Sequence, residues 1–308
     1  MGAPEPRWGR RGLAGARWRY AVLLAIAVTN ISTASIFVRL AGVQGFVAAS
    51  WRLAISAAIT LAMLAASGSI PRISDARDLA LMAASGAALA LHFGFWMMSL
   101  YHLTVAASVT IVDSYPALLA IVGSAVLGEE YRAQQLAGAA AAMAGVAWLA
   151  VASTSEGLSP PGGDPRLGVA LSLAGMVCVA VYFSIGKVLR ERYDTLSYTG
   201  VVYSVAALVS TAVTLGLGYH LLGYEGRVYL YLLGLALLPM LGGHTIINYA
   251  LKHVSLLAAT VPVLGEPVGA TLLAWLVLGE EPRPPEIAPM ALVIFGIGLV
   301  LYYEEAQG

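Results

Sequence analysis

A single carboxylate, Glu266, interrupts an apolar stretch that runs from residue 261 to residue 278, and it stands between Gly265 and Pro267. An acidic side chain at the centre of a membrane-spanning helix costs roughly 2.5–3.5 kcal/mol, so a contact or a function must offset that cost. Two interpretations stay open. Glu266 binds a substrate or a proton, or it is a structural carboxyl that hydrogen-bonds a tyrosine of a neighbouring helix.

A second acid, Asp113, lies in another apolar stretch, three residues before Pro116. On a helix this spacing places the two residues on one face. The same two interpretations apply to Asp113. A carboxyl group that is neutral or charged near pH 7 is what proton coupling needs, so protons are a candidate coupling ion.

Other polar and aromatic side chains recur inside apolar stretches at helical spacing. His92 and Trp96 are four residues apart, and so are His244 and Asn248, which places each pair on one helix face. Such residues either line a substrate site or form hydrogen bonds between helices. The candidate substrate-binding residues are Asn30, Thr33, His92, Trp96, Asp113, Tyr182, His244, Asn248 and Glu266.

Basic side chains and paired acids lie near the ends of the apolar stretches. Arg39, Arg52 and Lys187 are expected to extend from helix ends toward the membrane surface. The acid pairs 129–130 and 280–281 are expected to end their apolar stretches in water or to cap the following helix, because acids at a helix C-terminus oppose its dipole. A catalytic role for these pairs is not favoured.

The sequence contains no pattern that is typical of a cofactor or metal site. The chain has one cysteine, Cys178, which can form neither an intrachain disulfide nor a thiolate cluster. No acids or histidines stand at the spacing of a metal site or a general acid–base pair. No catalytic residue, metal or cofactor is therefore predicted, and the protein is not expected to be an enzyme.

The composition is that of an integral membrane protein. Hydrophobic residues make up 59% of the 308 residues and charged residues 11%, and the mean hydropathy is +0.80. Soluble domains carry roughly 25% charged residues. The net charge is zero, so no basic surface for nucleic acid is indicated. The lipid bilayer is the expected environment.

One segment of the chain occurs twice, 151 residues apart. Under this single offset Pro116 falls on Pro267, and the sequence Gly-Glu-Glu that ends at residue 130 falls on the one that ends at residue 281. We interpret this as an internal duplication. Pro116, Pro262 and Pro267 are predicted helix kinks, because proline cannot donate the helical hydrogen bond and frees a carbonyl.

Ten membrane-spanning segments are predicted. Their ranges are 20–40, 46–67, 79–101, 104–127, 133–152, 167–189, 196–217, 228–251, 255–278 and 287–303. The Ser, Gly and Pro-rich residues 153–166 read as a linker between five segments and five segments. An odd number of spans per repeat forces the second repeat into the membrane from the opposite side, so two inverted five-helix repeats are predicted. In the fifth segment a face of small residues predicts close helix packing, and its members are Gly138, Ala141, Ala142 and Gly145.

The basic residues predict the orientation, since cytoplasmic loops carry an excess of lysine and arginine. With a cytoplasmic N-terminus, twelve basic residues lie inside and five outside. The inner set is Arg7, Arg10, Arg11, Arg17, Arg19, Arg72, Arg77, Arg132, Lys187, Arg190, Arg192 and Lys252, and the outer set is Arg39, Arg52, Arg166, Arg227 and Arg283. Both termini are therefore predicted to be cytoplasmic in a multi-pass protein of the plasma membrane.

These features together resemble the drug/metabolite transporter superfamily, in particular its EamA-like branch. The segments Leu-Gly-Glu-Pro-Val, 264–268, and Leu-Gly-Glu, 278–280, look like the ninth-helix signature of that branch. The resemblance implies a cytoplasmic arm 1–19, an EamA-like repeat 20–152, the linker 153–166, a second repeat 167–303 and a tail 304–308. It also implies a central cavity and substrates such as amino acids, related metabolites or toxic compounds, commonly moved outward.

The leading functional prediction is a secondary transporter that exports a small metabolite, such as an amino acid or a related amphiphile, by alternating access. A channel or a receptor-like binding protein is the alternative, and a membrane-embedded enzyme is a further one. A channel would need a filter of carbonyls or a ring of charges, which the sequence does not show. A small-molecule substrate is the expected partner, with protons and a second copy of the chain as further candidates.

Overall fold

The computed structural model of the protein describes residues 10–68, 73, 75–122, 132–153, 160–253 and 256–305. The regular structure of these residues is helical throughout. The α-helices are α1 Arg10–Ile31, α2 Ala34–Ala41, α3 Gly45–Ala66, α4 Ala76–Ser99, α5 Val105–Val112, α6 Tyr115–Val122, α7 Ala133–Ser153, α8 Pro165–Arg190, α9 Thr195–Gly216, α10 Gly226–Leu235, α11 Thr245–Leu251, α12 Leu256–Thr260, α13 Gly265–Leu273 and α14 Pro284–Glu305. A 3-10 turn, Val261–Leu264, joins α12 to α13, and π-helical turns, Ala236–His244 and Ala274–Leu278, follow α10 and α13.

Eight helical stretches in the described part of the chain are long and apolar enough to cross a membrane. They are Val22–Ala41, Gly45–Ala66, Ala76–Ser99, Ala133–Ala152, Pro165–Arg190, Thr195–Gly216, Gly226–Leu251 and Val261–Leu278. Two shorter apolar helices, Val105–Ala120 and Pro284–Gly296, lie at the predicted fourth and tenth segments. The count of ten spans therefore stays a prediction.

Polar residues define where several of these helices begin. The side chains of Asp75, Thr104, Asp164 and Asp194 each accept a hydrogen bond from a backbone N–H two or three residues later. These N–H groups have no partner within the helix, so the caps stabilise the helix starts. At α8 the cap is followed by Pro165, whose missing N–H would have had no intrahelical partner.

The helix that carries Asp113 is broken at that residue. Helix α5 ends at Val112 and α6 begins at Tyr115, with Asp113 and Ser114 in the turn between them. Pro116 lies in the first turn of α6, where its missing N–H leaves no helical bond unmade. The carbonyl of Val112, four residues earlier, loses its usual helical donor.

The helix that carries Glu266 is broken in a similar way. Pro262 lies in the 3-10 turn, and Pro267 lies in the first turn of α13, one residue after Glu266. A third irregularity was not predicted: Pro239 lies inside the π-helical turn Ala236–His244. The wider turn accommodates a proline in the middle of a long apolar helix.

The main helix contacts join the first half of the chain to the second. Helix α3 packs on α9, α4 on α8, and α7 on α14. Helix α1 packs on the π-helical turn Ala236–His244, and α5 on α13. One polar cluster lies at the α3–α9 contact, where the hydroxyl group of Ser50 is 3.0 Å from that of Ser210 and 2.9 Å from that of Thr214.

Small residues allow α7 and α14 to approach closely, as the glycine and alanine face of the fifth segment predicts. A Cβ atom added to Gly296 would lie 2.5 Å from the Ala142 backbone nitrogen and 2.6 Å from the Gly138 oxygen. Neither backbone atom can move without displacing its helix. The absence of a side chain at Gly296 is therefore required by this contact.

We expect Gly296→Ala to lower the stability of the protein by about 1–3 kcal/mol, as overpacking in a tight contact does. Gly298→Ala is the matched control, because a Cβ atom there meets nothing within 4 Å and alanine favours the helix by about 1 kcal/mol. Thermal unfolding in detergent measures both variants. Equal melting temperatures for the two would contradict the close packing.

Candidate functional site

A small cavity lies between the two halves of the chain, at the level of the two helix breaks. Its walls are formed by Ile31, Ala34, Arg52, His92, Phe93, Trp96, Val112, Asp113, Tyr115, Val179, His244, Ile247, Val263 and Glu266. The cavity measures about 20 Å³, which is room for about one water molecule. Any larger ligand therefore requires the surrounding helices to move apart.

The two predicted acids meet at this cavity. Asp113 is 5% exposed and Glu266 is 6% exposed, and their side chains hydrogen-bond to each other. Ionised carboxylates only accept hydrogen bonds, so this contact requires a proton on one of the two groups. One oxygen of Asp113, Oδ2, has no partner among the described residues. The pair is thus a shared proton site with free acceptor capacity.

Arg52 lies in the same cavity, and the sequence prediction for this residue is wrong. It was expected to extend to the membrane surface, but it is 1% exposed and its guanidinium carbon lies 3.9 Å from the centre of the Phe93 ring. Helix α3 begins at Gly45, so Arg52 lies roughly 10 Å inside the helix. The distance of Arg52 from the start of the apolar segment is visible in the sequence, and it could have predicted that this side chain is buried.

His92 and His244 both line the cavity, and both rings contact Phe93. The rings of His92 and His244 have centroids 6.3 Å apart, and the His244 ring meets the Phe93 ring edge-on at 5.1 Å. Nδ1 of His92 is 3.0 Å from the Gly175 oxygen, whereas Nδ1 of His244 has no partner in the described structure. His92 is thus fixed to α8, and His244 keeps a free ring nitrogen.

Trp96 completes the group of predicted residues that the structure brings to the cavity. Its ring lies parallel to His92 with centroids 6.3 Å apart. Its Nε1 has no acceptor among the described residues. His92, Trp96, Asp113, His244 and Glu266 therefore converge on one cavity.

The other predicted residues serve helix contacts beside the cavity. Asn30 donates to the Gly242 oxygen at 3.1 Å and Thr33 to the Asn30 oxygen at 2.7 Å, so they join α1 to the π-helical turn and close the turn before α2. The Asn248 amide donates to the hydroxyl of Tyr182. None of these four side chains lines the cavity.

The acid Glu280 has a contact that the sequence did not predict. Instead of ending in water, its carboxylate pairs with Arg39 at 3.1 Å and accepts a hydrogen bond from the Val105 backbone N–H. The same Arg39 nitrogen donates to the Leu103 oxygen at 3.0 Å. This network joins α2, the start of α5 and the residues that follow the turn Ala274–Leu278. The pair 129–130 lies outside the described residues.

A second ion pair between the halves lies at the opposite ends of the helices. Arg192, after α8, pairs with Asp78 of α4 at 3.0 Å, and the Tyr193 hydroxyl donates to the same carboxylate at 2.8 Å. Arg39–Glu280 and Asp78–Arg192 thus each connect the first half to the second.

A helical membrane bundle whose two halves meet around a small polar cavity is typical of membrane transporters. The EamA-like transporter family model matches the chain twice, at residues 18–151 and 166–302. The chain therefore belongs to the EamA-like transporter family.

The chain is also similar to a named protein and to a solved structure. The chain is 26% identical, over 90% of its length and 92% of the relative's, to the probable terminal-alkyne amino-acid exporter of Streptantibioticus cattleyicolor. A crystal structure with 19% sequence identity has a TM-score of 0.68, covering 94% of this chain and 99% of the other. At that identity the similarity shows the fold alone.

Proposed function

We propose that the protein is a secondary transporter that moves an amino acid or a related small amphiphile out of the cell by alternating access. The observation that carries the proposal is the cavity itself. It holds an acid pair, an arginine and free polar groups at the level of the helix breaks, between two halves of an otherwise apolar bundle. Such groups are costly in a membrane and mark substrate or ion pathways.

Two similar halves supply the means for alternating access. We propose ten spans arranged as inverted repeats, 20–152 and 167–303, with an arm 1–19, a linker 153–166 and a tail 304–308. The 151-residue offset superposes the stretch of α1 and α2 on α8, and α4 on the stretch of α10 and α11. The contact of α1 with the turn Ala236–His244 is then the repeat counterpart of the α8–α4 contact. This pairing supports a rocking motion of equivalent helix pairs.

An amino acid fits the cavity in its chemistry. It carries a carboxylate and an ammonium group, and the cavity presents one basic and two acidic side chains. The relative from Streptantibioticus cattleyicolor carries amino-acid export in its name, which supports the same substrate class and the outward direction. The shared proton of Asp113 and Glu266 makes protons the proposed coupling ion.

The test is counterflow in proteoliposomes with radiolabelled amino acids. A carrier gives saturable uptake that is accelerated by unlabelled amino acid on the opposite side. A channel gives flux without saturation or acceleration, and a receptor-like protein gives binding without flux. Absence of saturable exchange for every amino acid, with and without a pH gradient, would overturn the proposed function.

The proposed topology is tested by reporter fusions. We expect a reporter at Gly308 to lie in the cytoplasm and one inserted at residues 160–163 to lie outside, because five spans separate the linker from each terminus. Alkaline phosphatase and green fluorescent protein fusions report the two sides. Both reporters on the same side would contradict the ten spans and the inverted repeat.

A further inference from the structure

The side chain of Arg52 is buried without hydrogen bonds. It is 1% exposed, and Nε, Nη1 and Nη2 have no partner among the described residues. Glu266 attracts it electrostatically, but the Glu266 carboxyl is hydrogen-bonded to Asp113. A buried charge without hydrogen-bond partners is strongly unfavourable, so the donors of Arg52 serve a group that the protein itself does not supply.

A second buried arginine shows how the same bundle treats a structural one. Arg190 is also 1% exposed. Its Nε donates to the Asn248 oxygen at 3.0 Å, Nη1 donates to the Tyr193 oxygen, and Nη2 donates to the Thr195 hydroxyl at 2.6 Å. Every nitrogen of this guanidinium has an acceptor. The unbonded state of Arg52 is therefore specific to the cavity and not a general property of arginines in this bundle.

We propose that Arg52 binds the carboxylate of the transported molecule, which makes a free carboxylate the feature that the site selects. This inference rests on the proposed transport function. A guanidinium presents its donors in a planar fork that matches the two oxygens of a carboxylate. The Phe93 ring lies 3.9 Å from the guanidinium carbon and holds it by a cation–π contact while leaving its N–H edges free.

The rest of the cavity fits the remaining parts of an amino acid. The Asp113–Glu266 pair offers carboxyl oxygens to an ammonium group. The walls between the charged groups are apolar and aromatic, with Val112, Tyr115 and Val263 among them. The substrate class is thus a free α-amino acid with an apolar side chain, held by its carboxylate at Arg52 and by its amino group at the acids.

The inference is tested with compounds that differ only in the carboxylate. Thermal stabilisation of the purified full-length protein in detergent is measured with the twenty standard amino acids and with propargylglycine, an amino acid with a terminal alkyne. The most stabilising compound is then titrated beside its carboxamide, because the amide keeps the amino group and side chain but is uncharged at C1. For the wild type we expect the acid to be effective at a concentration about tenfold or more below that of the amide, equivalent to about 1.4 kcal/mol.

Arg52→Gln is expected to bring the ratio of the two effective concentrations close to one, and Arg52→Lys to retain part of it. Because the ratio is taken within each variant, it does not depend on how much of that variant is folded. Arg190→Lys is the matched control, which is expected to lower the melting temperature and leave the ratio as in the wild type. If Arg52→Gln unfolds, the ratio of Arg52→Lys decides.

The outcomes separate this inference from the proposed function. A wild type that binds acid and amide equally, or an Arg52→Gln variant that keeps the wild-type ratio, would overturn the role of Arg52 while leaving the proposed transport function in place. Where Arg52→Gln does not fold, the full wild-type ratio in Arg52→Lys overturns that role. A wild type that neither binds nor exchanges any amino acid would overturn the proposed function, and this inference with it.

Discussion

Transport by Glu266→Gln is expected to lose its acceleration by a pH gradient, and its flux is expected to fall by about tenfold or more, equivalent to about 1.4 kcal/mol. Glutamine has nearly the same shape and can donate its amide hydrogen to Asp113, so the helix contact is kept. It can neither take up nor release a proton. The variant therefore removes the shared proton of the pair and leaves the packing in place. Proteoliposome flux with and without an imposed pH gradient is the measurement.

The matched control is Glu286→Gln. Glu286 is a buried acid that accepts hydrogen bonds from the Thr104 hydroxyl and the Arg283 N–H at the start of α14, away from the cavity. Its replacement is expected to leave the response to the pH gradient unchanged. If Glu266 holds the amino group of the substrate without exchanging a proton, Glu266→Gln weakens binding, and the gradient has no effect even on the wild type. Wild-type transport by Glu266→Gln at every pH would show that the acid is only structural.

Charge reversal at the Arg39–Glu280 pair is expected to separate the two halves of the chain at that end of the helices and to make the cavity easier to reach from outside. Glu280→Arg places two positive charges side by side and removes the acceptor of the Val105 N–H. The probe is an Ala34→Cys substitution, because Ala34 lies in the cavity wall. We expect a membrane-impermeant thiol reagent to label this cysteine about tenfold faster in Glu280→Arg, equivalent to about 1.4 kcal/mol lost from the closed state. The only native cysteine, Cys178, is first replaced by alanine.

Two further variants control this experiment. The double reversal Arg39→Glu with Glu280→Arg restores the pair and is expected to slow labelling again. Glu225→Gln breaks an ion pair with Arg227 that is 70–72% exposed and lies at the start of α10, and it is expected to change nothing. Equal labelling rates in the wild type and in Glu280→Arg would show that the pair does not limit access to the cavity.

Much of the candidate site could be predicted from the sequence because a polar side chain inside an apolar helix is a strong signal. That signal, with helical spacing, selected His92, Trp96, Asp113, His244 and Glu266, all of which line the cavity. The prolines were likewise visible, and the helices around Asp113 and Glu266 are broken next to them.

The same signal cannot separate a ligand site from a helix contact. Asn30, Thr33, Tyr182 and Asn248 are equally polar and equally embedded, yet their hydrogen bonds join helices. Only the rotation of each helix in the bundle decides between the two uses, and that rotation depends on packing between residues far apart in the chain.

Two further features of the site, the burial of Arg52 and the contact between Asp113 and Glu266, were not predicted from the sequence. The prediction treated Arg52 as a residue near a helix end, although its distance from the helix start already exceeded the length of its side chain. The repeat places Asp113 opposite Leu264, two residues from Glu266, so the contact between the acids follows from the helix breaks rather than from the duplication.

The central claim is that the cavity between the halves is the substrate site, and the most direct measurement is an experimental structure with a bound amino acid identified by counterflow. We expect the molecule between Arg52 and the Asp113–Glu266 pair, with its carboxylate within hydrogen-bonding distance of the guanidinium and the surrounding helices farther apart than in the closed state. An amino acid bound elsewhere, for example beside Glu280, with the cavity unchanged, would contradict the claim.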